Sequence, residues 1–193
     1  MFDKYFNLQN DFVVLRSMMQ EDYSAFKHLT SNKDMWTYFT SDLSVEKKLQ
    51  IWVDDAVAQM QKKVRHPFTI ETKPDKIIIG SSSFGNISHH DHRLEIGYTW
   101  ITDKYQGKGY NNHIKLLMLE YAFETLKYER VEFKTDVLNI PARKALSRIG
   151  AIEEGILRSH TLMSHNRRRD TIYYSILRSE WPSVKSHLKS LLK

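Results

Sequence analysis

The run RLEIGYTWITDKYQGKGYNNHIKLLMLEYAF, residues 93–123, admits few folds. Its first part alternates bulky and small or polar residues, as a strand does. Its last part carries Ile114, Leu117, Met118, Tyr121, Ala122 and Phe123 at helical spacing and ends near Lys127. Between them, Gly107 and Gly109 flank a lysine. A strand that passes through a glycine turn into a helix is a unit of a mixed α/β structure. The first N–H groups of such a helix have no internal acceptor and sit at the positive end of its dipole. That geometry is suited to a phosphate.

The turn is not one of the common nucleotide loops. GKGYNN has Asn112 where G-x-G-x-x-G needs its third glycine, and the P-loop's Gly-Lys-Ser/Thr is absent. The strand before it is more specific. Leu94, Ile96, Tyr98 and Trp100 alternate with Glu95, Gly97, Thr99 and Ile101. Period two puts Glu95, Gly97 and Thr99 on one face and the bulky set on the other. Glu95 reads either as a solvent-facing carboxylate or as one aimed at a cleft. Gly97 beside it marks a bulge or a close approach.

Elsewhere the chain reads as a succession of short elements, without repeats, low-complexity segments or a linker. FVVLR (12–16) is a first strand, and residues 20–38 and 44–63 carry helical spacing. The second of these helices places Leu49, Trp52, Val53, Ala56, Val57 and Met60 on one stripe, with Ser44 as N-cap. HPFTIET (66–72) and KIIIGSSSF (76–84) form a hairpin around Lys73-Pro74-Asp75. After the glycine loop and its helix comes the strand RVEFKTDVLN, residues 130–139. A short helix follows, with Asn139 as N-cap, Pro141 in its first turn and Gly150 as its stop. IEEGILRSHTL and RDTIYYSIL are two further strands, and a last helix from about Ser179 carries Trp181, Val184, Leu188 and Leu191.

The 193 residues fit one domain, 1–193, with a core over about 10–182 and a C-terminal helix over 179–193. No apolar run is long enough to span a bilayer, and the N-terminus lacks the sections of a signal peptide, so a cytoplasmic protein without a membrane partner is expected. Cysteine is absent, which excludes disulfides, a thiolate nucleophile and a cysteine zinc site. The net charge of +6 points to an anionic partner without identifying it. Arg158 and the run Arg167, Arg168, Arg169 hold much of the late excess; such a run between two strands reads as a solvated turn or, in the distal hairpin, as a face toward the acceptor. HHDH (89–92) does not match H-E-x-x-H and lies in a strand–strand loop, so no metal is expected.

The order of elements resembles the GNAT superfamily of acetyl-CoA-dependent N-acetyltransferases. LEIGYTWITDKYQGKGYNNHIKLLML, RVEFKTDVLNIPARKALSRIGAIEEGILR and RRRDTIYYSILRSEWP carry the resemblance, which covers about residues 10–182 and is closest to the ribosomal-protein N-terminal acetyltransferase branch. It implies an α/β (α+β) fold with a mixed central sheet of about six or seven strands flanked by helices, and a cofactor loop at 101–112. The family's loop pattern falls on Lys104, Gly107 and Gly109, with lysine where the family has glutamine or arginine. By that resemblance Gln106, Gly107, Lys108, Gly109, Tyr110 and Asn111 would hold the pyrophosphate of coenzyme A. Trp100, Ile101 and Thr102 would line its pantetheine arm through the main chain, and Asn139 would hydrogen-bond it. Lys108, Arg143 and Lys144 are the basic candidates for its phosphates.

What the resemblance implies is transfer of an acetyl group from acetyl-CoA to a primary amine by direct attack, without an acyl-enzyme and without a metal. Glu95 is the candidate base, acting through a water. The acid is left open: related enzymes place Ser or Tyr where this chain has Ala142 and Leu146, and Ser147, which is adjacent, and Tyr173 or Tyr174, which could reach the site, are the weaker alternatives. The acceptor, a protein N-terminus or a small amine, would meet Trp36 and Tyr38 and the loop after His160. A monomer or homodimer is expected. The alternative is a catalytically silent module of the same fold that binds coenzyme A or a ribosomal partner. A basic RNA-binding protein is a third reading, but nucleic acid is not the expected partner because it leaves the glycine loop unexplained.

Overall fold

The computed structural model describes residues 6–192; residues 1–5 and 193 of the expected domain lie outside the described residues. In chain order the elements are β1 (Asn7–Gln9), β2 (Val13–Ser17), α1 (Asp22–Leu29), α2 (Glu46–Gln61), β3 (His66–Thr72), β4 (Ile78–Ser88), β5 (Arg93–Ile101), α3 (Tyr110–Glu120), β6 (Arg130–Asp136), α4 (Ile140–Arg148), β7 (Ile152–Leu162), β8 (Arg168–Leu177) and α5 (Trp181–Ser190). They build a mixed sheet of eight strands in the order β1-β2-β3-β4-β5-β6-β8-β7. The count exceeds the expected six or seven because a three-residue edge strand, too short to give a pattern, pairs Leu8 with Leu15.

Helices cover both faces of the sheet. On one side, α3 and α5 bring Ile114, Met118, Leu119 and Leu188 onto Val13, Phe68, Leu94, Ile96 and Val131. On the other, α1 and α2 bring Phe26, Leu49, Val53 and Ala56 together with Trp36 and Trp100. The expected helix over 20–38 is broken: α1 ends at Leu29, and a separate 3-10 turn spans Lys33–Trp36. Asn32 starts that turn by accepting from Asp34 N–H at 3.0 Å. Ser44 does not cap α2, whose N-cap is Val45; its hydroxyl donates to Asp42 Oδ1 at 2.6 Å instead.

Two irregularities shape the middle of the sheet. β5 pairs with its parallel neighbour β6 only at Arg93/Arg130, Leu94/Val131 and Glu95/Glu132. The second is a bulge in β5: its register against β4 shifts between Ser81 and Ser83, and Tyr98 takes φ 53°. An extra residue in a strand reverses its in–out phase. The bulky set expected on one face is therefore divided: Leu94 and Ile96 join the α3 side, where Ile101 from the other set meets them, Trp100 joins the α1/α2 side, and Tyr98 is exposed.

Three consecutive buried serines of β4 hold this region, each with a partner. Ser81 donates to Phe68 O at 2.8 Å, Ser82 bonds Thr99 Oγ1 at 2.8 Å, and Ser83 accepts from Arg65 Nε at 3.0 Å. The Arg65 guanidinium lies 3.7 Å from the centre of the Tyr98 ring, which fixes the bulge residue from the α2 side.

Candidate active site

The segment between β5 and α3 is a tight, pinned loop. A 3-10 turn covers Asp103–Tyr105, and the Gln106 amide donates to Ile101 O at 2.7 Å. Gly107 and Gly109 then take φ 71° and 88°, a region that residues with a Cβ rarely enter. Among the described residues, no backbone acceptor is found for the N–H groups of Gly107, Lys108, Gly109, Tyr110 or Asn111. Of these residues, Gly107, Lys108, Gly109 and Asn111 line a cavity of about 750 Å³, together with Trp100, Ile101, Gln106, Lys144 and Arg148. Clustered donors and three cations make this a fit for a multiply phosphorylated ligand.

A second cavity of about 370 Å³ opens where β5 and β6 part. Glu95, Tyr98, Thr99, Lys115, Lys134, Asn139 and Arg169 line it, together with Tyr38. The two cavities share Phe39, Thr99, Asn111 and Ala145.

Glu95 is largely buried and its Oε2 lies 2.8 Å from Lys134 Nζ. The other carboxylate oxygen lies over Gly97, where an added Cβ would come within 2.9 Å of it. The glycine therefore leaves room for the carboxylate on its own strand. Burial works against the Lys134 ammonium, but its hydrogen bond to Glu95 and the charges of Glu95, Tyr173 and Glu132 outweigh it and raise its pKa.

Several expected residues are placed elsewhere. Thr99, read as sharing a face with Glu95, is turned by the bulge to meet Lys115 Nζ at 3.1 Å. Trp36 lines neither cavity; it is buried in the α1/α2 core and donates from Nε1 to Thr30 O at 2.9 Å. Thr102 spends its N–H on Ile79 O, and the Tyr110 ring packs edge-on to Tyr105. Arg143 turns away from the loop cavity, donating to Val137 O at 3.1 Å and to Tyr174 Oη at 3.3 Å. Arg148, one turn of α4 after Lys144, lines the loop cavity in place of Arg143. Asn139 caps α4, accepting from Ala142 N–H at 3.1 Å, while lining the second cavity.

The basic run after β7 is not simply a solvated turn. Arg167 pairs with the fully buried Asp136, and Arg169 reaches the second cavity. Of the histidine-rich turn, His89 bonds Tyr128 Oη at 2.5 Å. Among the described residues no group of three or more His, Asp or Glu is placed to hold a metal, and no helix is long and apolar enough to cross a membrane. Lys115 escaped the sequence reading because it sits beside an apolar stripe. The signal was present: Leu116 and Leu119 make the middle of the helix apolar all round, so His113 and Lys115 within it are buried as well.

The model of the acetyltransferase (GNAT) domain family matches residues 13–152. A Bacillus subtilis (strain 168) protein provisionally named ribosomal N-acetyltransferase YdaF is 35% identical over 111 residues, 58% of this chain and 60% of that relative's length. A crystal structure from T. thermophilus, provisionally assigned as an acetyltransferase, is 26% identical with a TM-score of 0.88 and covers 100% of both chains. Mycobacterium smegmatis RimJ in complex with CoA-disulfide shares the fold, with a TM-score of 0.80 at 21% identity over 96% of this chain and 93% of that one.

Proposed function

The chain belongs to the GNAT acetyltransferase family, and on that premise we propose that it moves an acetyl group from acetyl-CoA to a primary amine by direct attack within a ternary complex. One observation carries this reading: the phosphate-suited cavity and the Glu95 cavity adjoin, sharing Phe39, Thr99, Asn111 and Ala145 as lining. A donor whose phosphates rest on the N–H groups of 107–111 has a path for its acyl end to the carboxylate. Lys108, Lys144 and Arg148 neutralise the phosphates. The pantetheine arm lies along β5 beyond Glu95, where pairing with β6 has ended. There a main-chain N–H polarises the thioester carbonyl as negative charge develops on its oxygen.

Glu95 takes the proton of the attacking amine through a water, and Lys134 fixes the carboxylate's place. The acceptor enters past Tyr38 and Arg169, and its amine is that of a protein N-terminus or a small molecule. The name of the Bacillus relative favours a protein acceptor. Transfer to N-terminal peptides, polyamines, amino acids and aminoglycosides, followed by mass spectrometry and release of free thiol, tests the reading. A protein that transfers to none of them while binding acetyl-CoA is a binding module instead.

A further inference from the structure

Lys115 stands where the two cavities meet. The residue is 5% exposed, and its Nζ lies 3.1 Å from Oγ1 of Thr99 and 5.6 Å from the centre of the Phe133 ring. Thr99 lines both cavities, so the ammonium sits beside the passage between them. Lysines in helices ordinarily extend their stems to solvent. That route is closed here, because α3 is buried from His113 to Leu119. None of the ion pairs among the described residues includes Lys115, and Ala142 and Leu146 beside it in the cavity offer no proton. Burying an ammonium without a counter-charge is costly, and methionine or leucine would fill the same space without that cost. Such a group at a ligand junction points to chemistry rather than packing.

We propose that Lys115 is the catalytic acid of the acyl transfer, giving a proton to the sulfur that leaves when the donor's thioester is cleaved. This rests on the acetyl-CoA reading above. The acceptor nitrogen bonds to the carbonyl carbon, and the carbon–sulfur bond breaks with its electron pair going to sulfur. An N–H bond of Lys115 breaks as the S–H bond forms, leaving Lys115 a neutral amine. The acceptor's proton departs through Glu95, and solvent restores the proton of Lys115 after the products leave. Burial pushes Lys115 down to about 7, so both of its forms are populated near neutrality. The charged and titratable groups lining the same cavity are Glu95 and Tyr98 from β5, Lys134 from β6, Arg169 from β8 and Tyr38. Glu95 is engaged by Lys134, which leaves the ammonium of Lys115 for the sulfur.

The test needs no knowledge of the acceptor. The ultraviolet absorbance of the thiolate reports the titration of coenzyme A's thiol when bound, with desulfo-coenzyme A as blank. In the wild type the bound thiol should titrate below the free thiol, and Lys115→Met should abolish that shift while leaving acetyl-CoA affinity within about threefold. Once an acceptor is found, kcat of Lys115→Met should fall by about tenfold or more, and Lys115→Arg, which cannot give up its proton, should not restore it. A Lys115→Met protein with the wild-type thiol titration and the wild-type rate overturns the proposal. Wild-type protein that binds no coenzyme A overturns the reading beneath it as well. Should the methionine variant fail to fold, NMR titration of isotope-labelled lysine in the wild type decides: Lys115 at the ordinary lysine value overturns the proposal.

Discussion

Oε2 of Glu95 lies 2.8 Å from Nζ of Lys134, and the two side chains meet across β5 and β6 just where the pairing of these strands ends. The same parting opens the second cavity, so one break in the sheet makes both the space and the place of a carboxylate at its wall. Gly97 completes the arrangement by leaving the other carboxylate oxygen unobstructed on its own strand.

If Glu95 is the base, Glu95→Gln should lower kcat by roughly 10²–10⁴ at neutral pH and leave acetyl-CoA affinity unchanged. Gly97→Ala should act on the same step indirectly. Its Cβ would come within 2.9 Å of Glu95 Oε1, so the flexible carboxylate must shift while the strand survives. A roughly ten- to hundredfold loss in kcat is expected, with little change in Tm. Steady-state kinetics of the two variants check this; wild-type turnover in Glu95→Gln would remove the carboxylate from the mechanism.

The α4 cations divide by direction. Lys144→Ala and Arg148→Ala should each weaken acetyl-CoA binding about two- to fivefold, the scale of partly exposed charge pairs. Arg143→Ala should leave that affinity alone, because its guanidinium serves Val137 and Tyr174. Titration calorimetry at low salt separates the three. Equal losses at positions 143 and 148 would mean that the orientation of α4's cations is wrong.

Burial of Lys115 also makes a prediction about stability. Its folded value of about 7 lies below the unfolded lysine range of ~10.4. Between those values the unfolded chain binds more protons, so this group's contribution to stability rises with pH across that window and its full penalty stands below it. Lys115→Met should therefore melt above wild type at about pH 6, with the gap closing toward about pH 10. Parallel melting profiles would mean that Lys115 is hydrated.

Elements with a strong local signal were legible in the sequence. Lys73-Pro74-Asp75 gives the β3–β4 hairpin, and Asn139, Pro141 and Gly150 bound α4. The glycine turn was also legible: Gly107 and Gly109 take positive φ values, and both line the larger cavity. Gly97 marked the bulge to within a residue, but not its place on Tyr98 and Thr99 or its effect on the strand's phase, which are set by pairing with β4 and by Arg65. That one extra residue accounts for the displaced Thr99 and Trp100. Helical spacing does not say which of Arg143, Lys144 and Arg148 faces the loop, since this depends on how α4 is rotated against β6 and β8. Trp36 was misplaced for a similar reason: its surroundings are set by α2 and Trp100, far away in sequence.

Transfer of an acetyl group from coenzyme A to an amine across the two adjoining cavities can be followed directly. The most direct measurement incubates the purified protein with acetyl-CoA and a panel of N-terminal peptides and small amines, following free thiol and acetylated product together. The account predicts that at least one amine is acetylated with one equivalent of thiol released, and that Glu95→Gln, though it still binds acetyl-CoA, is slower by orders of magnitude. Tight binding of acetyl-CoA with no acetylated amine anywhere in the panel, in wild type and Glu95→Gln alike, would contradict it.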